Sequence, residues 1–227
     1  VYQLTGIALG DGKRELVSSR LRRRLAALGL DSYGAYHDHV ASGRDAAERT
    51  AFINAITTNK TDFFREPHHF QLLRKIAGEW KTAGRTRARI WSAGCSTGEE
   101  AYSLAIIARE VAATLPQAPE IRVIATDLSS QAVASARRGR YRGRSLTLVD
   151  DARLRSWFAK QKDGSYVVVP EIRDLVEVRL HNLVADAPPF EPGEVDLVVC
   201  RNVTIYFARD TMRDLVGRFH GVQIGRA

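Results

Sequence analysis

The spacing of apolar side chains divides the chain into two kinds of pattern. At Val17, Leu21, Leu25 and Leu28 the intervals are four, four and three, the repeat of a helix that buries one stripe. Helical spacing of this kind runs through residues 1–56, broken near Gly10-Asp11-Gly12, at Gly29-Leu30-Asp31 and at Ser42-Gly43, with no strand pattern. The stretch TTNKTDFFREPHHF (57–70) follows, then a further helical segment to about Ala83. From Arg89 the pattern changes. RIWSAG is a short apolar run that stops at Gly94; AYSLAIIAREVAATL (101–115) is helical, and Pro116 and Pro119 end it. IRVIATD (121–127) is the next strand, and SSQAVASARRGRY is a helix with Ser129 or Ser130 as its cap. VDLVVCRN (195–202) has the nearly continuous apolar character of a buried parallel strand. Strands alternating with crossover helices predict an α/β fold with a doubly wound sheet. SYVVVP and DLVEVRL, within 165–180, flank a charged loop and read as an inserted antiparallel pair.

Composition narrows the class. With 227 residues, 44% of them hydrophobic, the chain can bury a core as one large domain or one domain with a small appendage. No run of about 18 apolar residues appears, so no membrane insertion is expected. The start, VYQLTGIALGDGKREL, lacks the order of a secretory signal, and two cysteines are too few for a disulfide framework. A cytoplasmic protein is the expectation. The net charge of +8 invites nucleic acid, but its distribution matters more than its size. Between Lys13 and Arg24 six basic residues stand against one acidic, and Arg20, Arg23 and Arg24 gather away from the apolar stripe. No aromatic residue interleaves with them, so a stacking platform for single strands is not expected. Such a face suits an acidic protein partner as well as it suits phosphate.

The turn WSAGCSTGEE (91–100) is the centre of the candidate chemistry. Gly94 and Gly98 let the backbone turn tightly and approach a ligand at the carboxyl edge of the sheet. The turn ends in Glu99-Glu100, where a diphosphate site would want amides and a lysine. The next strand ends in Asp127, where doubly wound folds set an acid against a ribose hydroxyl. One carboxylate at the turn and one on the ribose suit a ligand with an amine and a nucleoside but no phosphate, and S-adenosylmethionine is such a ligand. The plainer reading of the two glutamates is a charge pair favoured by a helix N-terminus. Cys95 and Cys200 read as small core residues. His68 and His69 are adjacent, so their rings are expected to point apart, and no metal site is expected.

TTNKTDFFREPHHF, WSAGCSTGEEAYSLAI, ATDLSSQAVASARRGRY and DLVVCRNVTIYF stand in the order seen in CheR-type chemotaxis receptor methyltransferases, and the resemblance covers roughly residues 15–220. It implies a Rossmann-like S-adenosylmethionine-dependent methyltransferase sheet, a small all-helical N-terminal domain and an inserted antiparallel β-subdomain. On that basis residues 1–56 form the helical, receptor-docking domain. Residues 57–84 form the linker and first helix, and 85–227 the methyltransferase domain, with the β-subdomain at about 157–180. The resemblance also assigns roles. Asn59, Thr61 and Arg65 reach into the cofactor and substrate cleft; Glu99 or Glu100 holds the methionine amine, with Gly94 at the turn; Asp127 binds the ribose. Asn182 and Leu183 lie at the adenine end, and Arg201, Asn202 and Tyr206 face the transferable methyl. The implied substrate is glutamate in the cytoplasmic methylation region of chemoreceptors, the implied cofactor product S-adenosylhomocysteine, and the implied state a monomer. Arg20, Arg23 and Arg24 would meet the acidic receptor.

A glutamate carboxylate is already ionised at neutral pH, so methyl transfer to it needs orientation and desolvation rather than a general base. Arg65 and Tyr206 are the candidates to hold that carboxylate by charge-assisted hydrogen bonds, and Arg201 is assigned to positioning. Other methyltransferase chemistries fit worse. Cys200 follows valine rather than the proline a cytosine-C5 enzyme needs, and DAPPF (186–190) precedes the strand at whose end an amino-methylating motif would sit. An RNA methyltransferase rests on charge alone. The rival from another class is a non-catalytic module that senses S-adenosylmethionine while docking on a receptor-like partner, and intact Arg65, Arg201 and Tyr206 argue against it. Two departures from the family's pattern stand out. The chain ends at QIGRA where the family continues into two further strands, so C-terminal strands are expected to be missing. The short KQKDG loop resembles members that do not grip a receptor tether.

Overall fold

The computed structural model describes residues 1–224. Four helices occupy the N-terminal part: α1 (Tyr2–Thr5), α2 (Arg14–Leu28), α3 (Tyr33–Ala41) and α4 (Ala46–Ile56), with a turn of 3-10 helix before α2. Gly29 ends α2 in the left-handed region at φ 64°, and the side chains of Ser32 and Asp45 cap α3 and α4 by accepting from backbone N–H groups. The apolar stripe of α2 works as its spacing predicts. Leu21 and Leu25 are buried against Tyr36, Val40, Phe52 and Ile56, a small core separate from that of the sheet.

The remaining elements are α5 (His68–Thr82), β1 (Arg87–Ala93), α6 (Glu99–Thr114), β2 (Glu120–Asp127), α7 (Ser130–Arg138), β3 (Arg140–Tyr141), α8 (Asp151–Trp157), β4 (Phe158–Lys160), β5 (Tyr166–Val168), α9 (Pro170–Arg173), β6 (Val176–Leu180), β7 (Leu197–Val199) and α10 (Arg209–Val222). Four strands form a parallel sheet in the order β6-β2-β1-β7. The chain runs outward from β1 through β2 to β6, then returns to the other side of β1. That reversal puts a crevice outside the carboxyl ends of β1 and β7, where doubly wound sheets bind ligands. Helix α6, almost wholly apolar from Ala101 to Ala108, is buried between the sheet and α5. Trp91 fills the opposite face, ringed by Phe190, Phe219 and His181, and its indole N–H donates to Thr126 Oγ1 at 2.9 Å.

The antiparallel pair expected within 165–180 is wrong in its partners. Tyr166–Val168 pairs with β4 and β3 in a small antiparallel sheet, whereas Val176–Leu180 is a core strand parallel to β2. The misreading has a physical cause. Strand β6 lies at the margin of the sheet with one face open, so its residues alternate like those of a hairpin strand rather than forming a continuous apolar run. Strand β7 is likewise half-buried, not fully buried as VDLVVCRN suggests, because it stands at the other end of the four-strand order. The expectation that C-terminal strands are missing concerns the end of the chain, where residues 225–227 lie outside the described residues.

Candidate active site

The parallel register sets the floor of the site. Ala93 pairs with Thr126, Asp127 with Leu180 and Ser92 with Val199, so Gly94 and Asp127 stand at one level with Cys200 and His181 within one residue of it. Gly94 (φ 88°) turns away from β1 while the N–H groups of Gly94 and Cys95 both donate to Thr126 O at 2.8 Å. A Cβ at Gly94 would overlap Val203, so only glycine lets the loop after β7 approach this closely. Gly98 (φ 99°) likewise leaves no room for a side chain against Ala136 and the Tyr141 hydroxyl.

Asp127 is held by its own loop. One carboxylate oxygen accepts from Ser96 N and the other from Ser129 N, each at 2.8 Å. Burial raises its pKa, and those backbone N–H groups oppose the rise. The two glutamates part company. Glu100 lines the pocket, accepts from Ser92 Oγ at 2.7 Å and pairs with Arg201 at 3.3 Å; Glu99 is buried outside the lining, and Thr97 Oγ1 donates to it at 2.6 Å. Burial lifts both to about 7, against the opposing pull of Ser92 and Arg201 on Glu100 and of Thr97 on Glu99. Burial also pushes the Cys200 thiol up to about 12 and the Cys95 thiol well above its usual range, which keeps both unreactive as nucleophiles.

The linker forms one wall by way of strain. Phe64 (φ 52°) and Glu66 (φ 58°) adopt left-handed backbone that non-glycine residues rarely enter. Packing holds them there. Phe63 is fully buried edge-on against Tyr141 and Phe158, while Phe64 lies against Phe70 and under the Arg153 guanidinium, and Phe64 N donates to Ser103 Oγ at 3.0 Å. With both phenylalanines pinned, Asn59, Thr61 and Arg65 are left facing the pocket. Arg65 is part-exposed and 3.8 Å from Glu66. Arg201 spans the two walls, donating to Arg65 O at 2.6 Å and pairing with Glu66 at 3.2 Å as well as with Glu100. It holds Glu66 below the usual carboxylate range.

His68 and His69 do not point apart. Their ring centroids lie 4.0 Å from each other, and ligand atoms of both come within 4.8 Å of a Glu66 oxygen. In the first turn of a helix no preceding turn constrains the rings. Arg201 and the N-terminus of α5 set positive charge beside the cluster, which opposes a cation there.

The other expected site residues divide. Asn182, Leu183, Asn202 and Tyr206 all line the pocket. The Asn182 amide, however, is spent on backbone: Nδ2 donates to Leu4 O at 2.9 Å, and Oδ1 accepts from Val184 N and Ala185 N. Of the arginines on α2, Arg20 lines the pocket and ties α2 to the linker through the carbonyls of Ile56 and Thr57 and the hydroxyl of Thr58. Arg24 pairs with buried Glu48, whose other partner is the Tyr36 hydroxyl at 2.6 Å. Arg23, with Arg22, remains exposed beside a groove between α2 and α4. The expected three-arginine face is therefore thinner, because two of its members are engaged within the protein.

Sequence reasoning missed the segment before α2. Thr5, Ile7 and Leu9 line the pocket, Ala8 N donates to Tyr206 O at 2.8 Å, and Ile7 bridges to Phe207. The Lys13 ammonium lies 5.4 Å over the Tyr206 ring. No local signal marks these residues, since each acts across nearly the whole chain.

The pocket offers buried polar atoms without partners, Ser96 Oγ and Arg201 Nε, beside two buried carboxylates and a glycine-lined turn. That donor and acceptor set fits an amino-acid-bearing nucleoside. The comparisons agree with it. Residues 1–57 match the CheR methyltransferase all-alpha domain and residues 59–224 the CheR methyltransferase SAM-binding domain. The chain belongs to the CheR methyltransferase family. The chemotaxis protein methyltransferase of Salmonella typhimurium is 40% identical over 96% of this chain and 75% of its own length. That of Escherichia coli is 38% identical over the same shares, and chemotaxis protein methyltransferase 2 of Pseudomonas aeruginosa 40% identical over 96% and 77%. Among solved structures, a glycopeptide N-methyltransferase, MtfA, complexed with sinefungin is 13% identical over 72% of this chain and 47% of its own, with a TM-score of 0.41. As a CheR protein the chain is a chemotaxis methyltransferase whose cofactor is S-adenosylmethionine. Among the described residues no helix is long and apolar enough to cross a membrane.

Proposed function

We propose that this chain methylates glutamate side chains in the cytoplasmic methylation region of chemoreceptors, producing glutamate methyl esters. The observation that carries the reading is that Arg65 and Tyr206 line the same pocket as Glu100 and Asp127. S-adenosylmethionine, when bound, supplies a methyl group on a positively charged sulfur and leaves as S-adenosylhomocysteine. Asp127 is the residue for its ribose and Glu100, rather than Glu99, the residue for its amine, with Asn59, Thr61, Gly94, Leu183, Arg201 and Asn202 completing the cradle. Asn182 contributes by holding the N-terminal segment across the adenine end. Arg65 and the Tyr206 hydroxyl, which has no hydrogen-bond partner among the described residues, orient the incoming carboxylate. Lys13, Arg20 and Arg65 surround the opening with positive charge, which favours an acidic substrate.

No residue is needed to take a proton, because the nucleophile arrives ionised. What the chain supplies is alignment and exclusion of water, the latter from the N-terminal segment and the linker on either side of the opening. Arg201, committed to Glu66, Glu100 and the Arg65 carbonyl, positions the other groups and leaves the nucleophile's charge available. The exposed Arg22 and Arg23 form the surface on which the acidic receptor docks.

Arg65→Ala and Tyr206→Phe test the assignment. With receptor cytoplasmic fragments as substrate, each lowers kcat by roughly ten- to a hundredfold while the Kd for S-adenosylmethionine stays within about threefold. Tandem mass spectrometry then locates the added methyl. Methyl on lysine, arginine or a backbone nitrogen would overturn the reading.

A further inference from the structure

A side chain of the helical domain reaches the cofactor loop. Asn54, in the last turn of α4, projects across to the N-terminus of α7, more than seventy residues later in the chain. Its Oδ1 accepts from the Ser129 hydroxyl at 2.9 Å, and its Nδ2 donates to Ser130 Oγ at 2.9 Å. Longer approaches to the same Oδ1 come from Ser130 Oγ and Gln131 N, each at 3.4 Å. Ser129 is fully buried and already has two duties: its hydroxyl oxygen caps α7 by accepting from Ala132 N at 3.2 Å, and its backbone N–H donates to Asp127 Oδ1 at 2.8 Å. A hydroxyl has one proton to donate, and Asn54 takes it. The orientation of the Ser129 side chain is thereby fixed from the other domain.

We infer that Asn54 is a positioning residue for the cofactor: through Ser129 it holds the Asp127 carboxylate at the angle from which it meets the ribose. The inference rests on Asp127 being the ribose ligand. Without Asn54 the proton of the fully buried Ser129 hydroxyl loses its acceptor, and the hydroxyl must find another partner while its oxygen is held by the cap. The Ser129 side of the Asp127 anchorage then loosens, while Ser96 N still holds the other carboxylate oxygen. The same side chain borders the groove lined by Arg22 and Arg23, so whatever seats the helical domain also seats the ribose loop.

Calorimetry with S-adenosylhomocysteine on the full chain tests this, using Asn54→Ala, Asn54→Asp, Ser129→Ala, the double variant Asn54→Ala/Ser129→Ala, and Asp127→Asn. Asn54→Ala is expected to raise Kd by about three- to tenfold, the scale of one buried hydrogen bond. It should raise KM for S-adenosylmethionine by more than it lowers kcat. Asn54→Asp keeps the acceptor for Ser129 and recovers most of the affinity. In the Ser129→Ala background the Asn54 substitution has no further effect, a non-additivity that general loosening of the fold would not produce. Unchanged affinity in Asn54→Ala beside a weakened Asp127→Asn overturns the latch alone. Full additivity in the double variant overturns it as well. Unchanged affinity in both Asn54→Ala and Asp127→Asn overturns the ribose assignment and the latch with it. Should Asn54→Ala not fold, Asn54→Ser carries the same cycle.

Discussion

The floor of the site and its helical wall are built on different principles. On the floor, Gly94, Asp127 and Arg201 sit at or beside the carboxyl ends of neighbouring strands, and the ladder hydrogen bonds that define the sheet define their relative heights. On the wall, Arg20, Asn54 and the segment before α2 are joined to the rest by a few side-chain and backbone hydrogen bonds each, between residues far apart in sequence. A floor of this kind keeps its strand ends at fixed heights as long as the sheet exists. A wall of this kind can be loosened one bond at a time. We take the difference to reflect a division of labour in which cofactor binding needs fixed geometry and substrate access needs a surface that can be adjusted.

The largest effects are expected from removing one charged group in each region. On the wall, Arg24→Met leaves Glu48 buried with only the Tyr36 hydroxyl as partner, and stability is expected to fall by about 3 kcal/mol, read by urea denaturation. The loss should appear in the small core around Leu21 and Phe52 before the sheet melts, so hydrogen exchange will show uneven protection if the two regions are as separate as their cores suggest. On the floor, Asp127→Ala removes the acceptor for Ser96 N and Ser129 N together with the ribose ligand, and cofactor affinity is expected to drop by about a hundredfold, near 2.7 kcal/mol.

A smaller effect sharpens the contrast through pH. Glu100 in the folded protein is raised to about 7 from an ordinary 4.5 by burial. Its protonated form cannot hold an ammonium, so cofactor affinity is expected to weaken as pH falls through about 7, by at most about tenfold per pH unit, and to level off above it. Stability runs the other way. A carboxyl whose folded pKa is raised contributes fully at pH below about 4.5, and that contribution is lost as pH rises through about 7. Glu99→Gln should remove part of the pH dependence of stability and leave the binding profile in place; Glu100→Gln should remove the other part and flatten the binding profile as well. Smallest of all is the docking surface, where Arg23→Glu weakens receptor binding by about threefold at low salt and less at high salt, with cofactor binding untouched.

The same division decides what could be read from the chain. The strands β1 and β2, the turn at Gly94, the acid at Asp127 and the linked motifs were legible because each is a local pattern whose geometry the sheet then enforces. The choice between Glu99 and Glu100 was not, since adjacent residues at a helix start differ only in which face the fold presents to the crevice. Strand β6 was misread because an edge position gives it the alternation of a hairpin. Arg24 reads as a basic surface until Glu48 is brought beneath it by the packing of α2 on α4, and Asn54 carries no sequence signal at all, being one asparagine near a helix end. Long-range polar bonds leave no periodicity to detect.

The floor and the wall together hold a carboxylate for methylation, and one assay reads that chemistry directly. Methyl-labelled S-adenosylmethionine, the chain and chemoreceptor-containing membranes are incubated together, and the washed receptor is treated with mild alkali. Release of the label as volatile methanol is the expected result, because carboxyl methyl esters hydrolyse under those conditions. Label that stays on the receptor after alkali, or that is found on nucleic acid, means a nitrogen, carbon or other target and contradicts the account.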